Sequence, residues 1–286
     1  MPELPEVETI RRHLAAVLPG RTVTGVELRL PKLLQAEPGR TLRDLIGQPV
    51  LAVNRRAKHL WLDFGGDQSL LIHLRLTGQI VHQSASGERR PGGHPVPAFD
   101  APLPHKSTHF WMTFDDGSTL YLTDIRQFAV LRLVGTARVP ALLAAEAYGP
   151  DALDPALTPA ALAERLKAHP RARLKSVLLD QRVIAGLGNI YVDEALYAAR
   201  LHPLRTPASL TADEIARLLA GIRDALDHGL RQGGFTIING RARPLDGYPR
   251  VHGLAGAPCP RCGTPIVKTT VGGRGTYLCP TCQPAP

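Results

Sequence analysis

The chain has 286 residues, with 34 Lys+Arg against 25 Asp+Glu and a formal net charge of +9. That length suits about two domains, because single cores stop growing near ~250–300 residues, and 44% hydrophobic residues excludes wholesale disorder. No apolar run approaches the ~20 residues that cross a bilayer, and the first ten residues carry three Glu and no basic residue, the reverse of a secretory leader; a cytoplasmic protein with no membrane partner is expected.

Residues 5–18 (PEVETIRRHLAAVL) predict a helix, with Val7, Ile10, Leu14 and Leu18 at helical spacing and Pro19-Gly20 ending it. Short β-type runs follow at 22–30, 50–54, 59–64, 70–75, 79–83, 110–114, 119–123 and 129–134, with Asp115-Asp116-Gly117 as a hairpin turn. Many short strands imply a sandwich or a barrel. Residues 84–108, rich in Pro and Gly, read as a long surface loop. Beyond about 135, helices are predicted at 141–147, 159–169, 174–180, 190–199 and 211–231. Thr158 and Thr211 are candidate N-caps, and Glu214 completes a capping box. The loop 182–189 (RVIAGLGN) interrupts two helices, and 232–258 is Gly-rich and irregular.

Charge and cysteine are concentrated at the end of the chain. Residues 231–286 hold seven Lys+Arg and one acid, Asp246, which is +6 of the +9. A polyanionic partner would explain this, but so would a solvated tail or an Arg-rich genome, since only six Lys occur. All four Cys lie in the last 28 residues, as Cys259-x2-Cys262, sixteen intervening residues, then Cys279-x2-Cys282. Two such pairs fit one tetrahedral Zn2+, each pair gripping the ion from a tight turn. Two disulfides are the alternative, disfavoured by the clustering and the missing secretion signal. Four thiolates close the coordination shell, so this zinc holds a fold and does no chemistry.

Three further features carry possible chemistry. Met1 precedes a small residue, so its removal would leave Pro2 with a free secondary α-amine, partly unprotonated at neutral pH. Such an amine attacks an aldehyde-like carbon to give an iminium, an electron sink, and Glu3 and Glu6 could move protons beside it. Taken alone, Pro2 and Pro5 are more simply the lead into a helix. The loop Gly186-Leu187-Gly188-Asn189 opens a helix and suits phosphate, though many loops look like it and it follows no strand. Lys58 opens a strand, where an exposed lysine is the simpler reading.

Together these motifs have a family resemblance. MPELPEVET, RRAKHL, IHLRLTG, TDIRQF, LLDQRVIAGLGNIYVDEAL and CPRCGTPI with GRGTYLCPTCQ resemble formamidopyrimidine-DNA glycosylase, over nearly the whole chain and in order. The resemblance implies an α+β multidomain fold. An N-terminal helix and two-layer β-sandwich would occupy 1–134, a helical helix–two-turn–helix domain 135–240, and a C-terminal β-hairpin zinc finger 241–286. It implies a base-excision-repair enzyme, acting as a monomer on double-stranded DNA containing damaged bases. Oxidised purines (8-oxoguanine and formamidopyrimidines) would be excised through an N-terminal proline Schiff base, and the strand then cut by β,δ-elimination. On this resemblance Pro2 is the nucleophile, Glu3 and Lys58 move protons, and Arg274 contacts phosphates and serves elimination. His73, Asn189 and Lys268 are phosphate contacts, Leu76 and Phe128 wedges, and Arg126 faces the orphaned cytosine.

The chain departs from the family pattern in several places. Leu76 stands for the usual Met wedge, Ile125, Gln127 and Ala129 alter DPRRFG, Ser107 stands where a histidine is frequent, and His252 replaces a tyrosine. The lesion-covering stretch after Gly233-Gly234 is several residues shorter and reads FTIINGRARPLDGYPR. Two rival readings follow: an endonuclease VIII-like glycosylase acting on oxidised pyrimidines, and a catalytically silent DNA-damage-binding protein. The joint presence of Pro2, Glu3, Lys58, Asn189 and Arg274 argues against silence, because binding alone needs no terminal secondary amine.

Overall fold

The computed structural model describes residues 2–234, 237–238, 241–242 and 244–286. They form two compact units, the first ending at Ala145 and the second running Glu146–Pro286. Met1, and Phe235, Thr236, Asn239, Gly240 and Arg243 of the stretch after Gly234, lie outside the described residues.

The first unit opens with α1 (Leu4–Val17), which Glu3 and Glu6 start as a capping box; Glu6 Oε2 accepts the Glu3 N–H at 2.8 Å. Ten strands follow: β1 (Val23–Leu28), β2 (Leu34–Ala36), β3 (Val50–Arg56), β4 (His59–Phe64), β5 (Gln68–His73), β6 (Gly78–Gln83), β7 (Arg89–Gly93), β8 (Thr108–Phe114), β9 (Thr119–Asp124) and β10 (Val130–Val134). They make two five-stranded sheets, ordered β1-β8-β9-β6-β7 and β2-β10-β5-β4-β3. The strands alternate as period-2 geometry requires: Leu60, Leu62 and Phe64 of β4 and Phe110, Met112 and Phe114 of β8 join Val7, Ile10 and Leu14 of α1, and Leu18 just after it, in one core. This is the expected two-layer sandwich. A short helix, α2 (Val139–Ala145), closes the unit against Leu71 and Val134.

One expectation fails. Residues 84–108 are not loop throughout, because Arg89–Gly93 pairs antiparallel with β6. The segment Arg-Arg-Pro-Gly-Gly shows no hydrophobic alternation, and as an edge strand it tolerates Pro91. The Asp115–Gly117 turn does form, with Gly117 at φ +78.

The second unit contains α3 (Pro159–Lys167), α4 (Leu174–Leu179), α5 (Asn189–Ala199) and α6 (Ala212–Arg231). Thr158 and Thr211 cap α3 and α6 as expected, Thr211 Oγ1 accepting the Glu214 N–H at 3.2 Å and Glu214 returning the bond at 2.9 Å. Helices α5 and α6 run so close that a Cβ on Gly221 would stand 2.7 Å from the Ala195 carbonyl. After a two-residue ladder of β11 (Ile237–Ile238) and β12 (Arg241–Ala242), β13 (Val267–Val271) and β14 (Arg274–Leu278) form the terminal hairpin. Tyr197 of α5 packs with Val251, Cys259, Ile266, Tyr277 and Cys279 in a small shared core. Among the described residues no helix is long and apolar enough to cross a membrane.

Candidate active site and zinc centre

At the start of α1, Pro2 is buried and Glu3 is 1% exposed. Lys58 lies in the two-residue turn between β3 and β4 and is only 8% exposed, so the exposed-lysine reading does not hold. An ionic frame, not visible in the sequence, ties that turn to α1. Arg55 donates to Glu8 Oε2 at 2.8 Å and to the Ala57 carbonyl at 2.8 Å, while Arg11 and Arg12 also hold Glu8. Burial alone would push the Glu8 carboxyl up, but the hydrogen bonds from Arg11, Arg55 and Arg12 and the Arg55 charge outweigh it and hold it at about 2.

The next site residues follow along the same sheet. His59, directly after Lys58, pairs in register with His73, their rings edge-on at 4.6 Å. Burial, with Arg75 and Arg132 nearby, brings His59 down to about 4. Burial, with His59, Arg75 and Lys58, brings His73 down to about 3. Both imidazoles are therefore neutral at pH 7. The Arg75 N–H donates to His73 Nδ1 at 3.0 Å, which puts the ring proton on Nε2. His73 thus offers a neutral N–H donor to an anion.

Beyond His73, the turn bearing Leu76 needs Gly78, where a Cβ would overlap the Leu74 carbonyl. Thr77 donates to Asp124 Oδ1, and Asp124, fully buried, also accepts the N–H groups of Arg126 at 3.1 Å and of Phe128 and Ala129 at 2.7 Å each. One carboxylate thereby joins the Leu76 turn to the loop carrying Arg126 and Phe128. The Arg126 guanidinium sits 4.9 Å over the Phe128 ring. Ser107, at the histidine position, anchors this carboxylate's backbone: its carbonyl accepts the Asp124 N–H at 2.9 Å. All three site turns contain a non-glycine residue in the left-handed region, Ala57 (φ +53), Arg75 (φ +52) and Gln127 (φ +59). Each costs of the order of 1 kcal/mol, strain that the surrounding bonds must offset.

In the second unit, Asn189 begins α5 after Gly188, and its Nδ2 donates to the Gly275 carbonyl at 2.8 Å, next to Arg274 at the hairpin tip. Lys268 pairs across the hairpin with Tyr277, its Nζ 5.7 Å from that ring's centre. Beneath them Lys175 and Asp193, both without exposure, pair at 2.7 Å. Lys175 Nζ also donates to Gly275 O at 3.0 Å and Thr276 Oγ1 at 2.8 Å. Asp193 Oδ2 accepts the Tyr277 N–H at 3.1 Å and meets His252 Nδ1 at 2.8 Å. His252 is thus part of the hairpin's support. Glu194 accepts the N–H groups of Arg250, Val251 and His252 at 2.8–2.9 Å; burial pushes its carboxyl up and these bonds oppose the shift.

The four cysteines are unbridged and their sulfurs lie within 4.8 Å of one another. Cys262–Cys279, Cys262–Cys282 and Cys259–Cys282 are 3.4, 3.6 and 3.9 Å apart. A tetrahedron with Zn–S bonds of ~2.3 Å has edges of ~3.8 Å, so this set fits one Zn2+. The Arg261 and Cys282 N–H groups donate to Cys259 and Cys279 sulfurs at 3.4 Å, and the Tyr197 hydroxyl of α5 lies 3.3 Å from Cys259. The zinc centre is thereby tied to the helical part of its own unit.

Comparison with known proteins is consistent across the chain. Residues 1–131 match the formamidopyrimidine-DNA glycosylase N-terminal domain, 148–239 its H2TH domain, and 256–285 the zinc finger found in FPG and IleRS. Formamidopyrimidine-DNA glycosylase of Chloroflexus aurantiacus is 41% identical over 294 residues, covering 99% of this chain and 98% of the relative. That of Pelotomaculum thermopropionicum is 40% identical, covering 99% of each. The crystal structure of Lactococcus lactis Fpg (MutM) with N7-benzyl-Fapy-dG containing DNA has a TM-score of 0.85 at 32% identity, covering 99% of this chain and 100% of that one. The protein is a member of the formamidopyrimidine-DNA glycosylase family.

Proposed function

We propose that the protein is a bifunctional DNA glycosylase and abasic-site lyase of base-excision repair, removing formamidopyrimidines and 8-oxoguanine from damaged double-stranded DNA and then cutting the strand. The carrying observation is the burial of Pro2, Glu3 and Lys58, with α1 and the Lys58 turn locked by Arg55 and Glu8. A buried carboxyl next in sequence to Pro2, and a buried lysine in a turn tied to the same helix through Arg55 and Glu8, serve proton transfer better than they serve folding.

The chemistry starts once Met1 is removed. The Pro2 nitrogen bonds to C1′ as the C1′–base bond breaks, and the base leaves with a proton. Glu3 protonates the ring oxygen O4′ as the C1′–O4′ bond opens, giving the Pro2 iminium. The iminium makes the C2′ proton acidic; its loss expels the 3′ phosphate, and loss of a second proton expels the 5′ phosphate. Lys58 is suited to pass these protons on, and Arg274, which stays cationic, to steady the departing phosphates.

DNA grip is assigned to His73 and Arg126 in the first unit and to Asn189 and Lys268 in the second, with Leu76 and Phe128 filling the space of the extruded nucleotide. In this assignment base release and ring opening belong to 1–134, elimination also draws on Arg274 of 241–286, and grip extends to 135–240 and 241–286. The protein acts as a monomer in the cytoplasm. The test compares excision rates on duplexes carrying formamidopyrimidine, 8-oxoguanine or thymine glycol. Faster release of the two purines is expected, and a preference for thymine glycol would contradict the assignment in favour of an endonuclease VIII-like enzyme.

A further inference from the structure

Leu76, Ile125 and Phe128 are 36%, 42% and 49% exposed, three of the eight large apolar side chains that reach solvent among the described residues. They come from two turns joined by Asp124, through the Thr77 hydroxyl on one side and the Phe128 and Ala129 N–H groups on the other. Ile125 lies between two fixed points. Asp124, before it, is fully buried and donates its own N–H to Ser107. Arg126, after it, has its N–H shared by Thr77 Oγ1 and Asp124 Oδ1, each at 3.1 Å. The backbone is rigid, and the β-branched side chain is stiff at χ1.

An exposed isoleucine on such a mount contributes little to folding, yet it loses little entropy when a partner covers it. The family pattern has proline at this position, so the larger apolar surface belongs to this chain. The neighbouring surface says what covers it: Arg126 supplies positive charge in the same loop, stacked over Phe128. Charge beside an apolar wedge suits a duplex opened at one step, where base faces and deoxyribose are apolar and phosphates stand close by.

We propose that Ile125 is a specificity-determining residue of this enzyme, a third wedge side chain that packs with Leu76 and Phe128 against the base stack opened around the lesion. The proposal rests on the assignment of Leu76, Arg126 and Phe128 as the DNA-contacting face of the first unit. Ile125 then favours duplex over single-stranded substrate without touching the reacting atoms.

The experiment compares the full-length wild type, I125S, I125L and F128A on two substrates: an 8-oxoguanine duplex with 2-aminopurine beside the lesion, and a single-stranded abasic oligonucleotide that needs no wedge. For I125S, duplex excision and the 2-aminopurine signal should fall about fivefold, the loss of roughly half an isoleucine's burial. Single-strand cleavage should stay within about twofold, and I125L should restore duplex excision. F128A should lose duplex excision as well. If F128A falls while I125S matches wild type, or if I125S loses both substrates equally, the role of Ile125 is wrong. If F128A keeps wild-type duplex excision, the DNA-facing assignment itself fails, and the Ile125 proposal falls with it.

Discussion

In the β-sandwich, the site residues leave the ends of strands whose inner faces fill a core of twenty-four buried apolar residues. In the terminal hairpin, Lys268 and Arg274 stand over a cluster of six, two of which are cysteines. The sandwich can tolerate strained turns and a neutral histidine pair because hydrophobic burial carries its stability. A core of six cannot, so the hairpin relies on metal ligation and on the Lys175–Asp193 pair beneath it. Holding a few side chains still, for a polyanion in the proposed function, is thus met by apolar area in one region and by charge and coordination in the other.

Zinc removal should separate them most sharply. Stripping the ion with a chelator and a thiol reagent, or substituting Cys279→Ser, should cost the hairpin its fold, since zinc ligation is worth ~10 kcal/mol or more in comparable small domains. Hydrogen exchange should show protection lost at Val267–Leu278 and kept in the sandwich strands, and duplex affinity should fall by about a hundredfold or more as the basic hairpin is lost. Equal loss of protection in both regions would show that the sandwich and the hairpin do not differ in what holds them.

Acidification should act in the opposite sense and more weakly. His59 and His73 bind protons near 6.5 when unfolded but near 4 and 3 when folded, so the unfolded chain takes up protons first. Their contribution is fully present above about pH 6.5 and is lost as pH falls toward 3. Melting of the sandwich between pH 7 and 5 should drop by roughly 5 °C, and His59→Gln should flatten that slope. An identical slope in the variant would show that the pair is not the source. Glu8 adds a second decline, present above about 4.5 and lost as pH falls through 2.

The sequence makes visible whatever local pattern governs. The apolar spacing of α1, the Thr211–Glu214 box, the Asp115–Gly117 turn and the two Cys-x2-Cys pairs all depend on residues a few positions apart. β7 is hidden because Arg-Arg-Pro-Gly-Gly pairs only where β6 offers it an edge. The supports of the site are hidden for another reason. Arg55 with Glu8, Thr77 with Asp124, and Lys175 with Gly275 are 47, 47 and 100 residues apart, and none has a local signature. Lys58 reads as an ordinary exposed lysine until the fold buries it. Asp124 and Ser107 show the same limit: one is the hub of two loops and the other anchors its backbone, and neither role can be read from its neighbours in sequence.

We assign the chemistry to the α-amine of Pro2, a buried residue. This assignment is tested most directly by incubating the full-length protein with a lesion-containing duplex and borohydride, then mapping the adduct by mass spectrometry. A covalent protein–DNA species is expected, formed only after Met1 is removed, with the reduced sugar on the Pro2 nitrogen and none in a Pro2→Gln variant, whose larger second side chain keeps Met1 in place. A DNA adduct at Lys58 or another lysine, or strand cleavage with no trapped species, would contradict it.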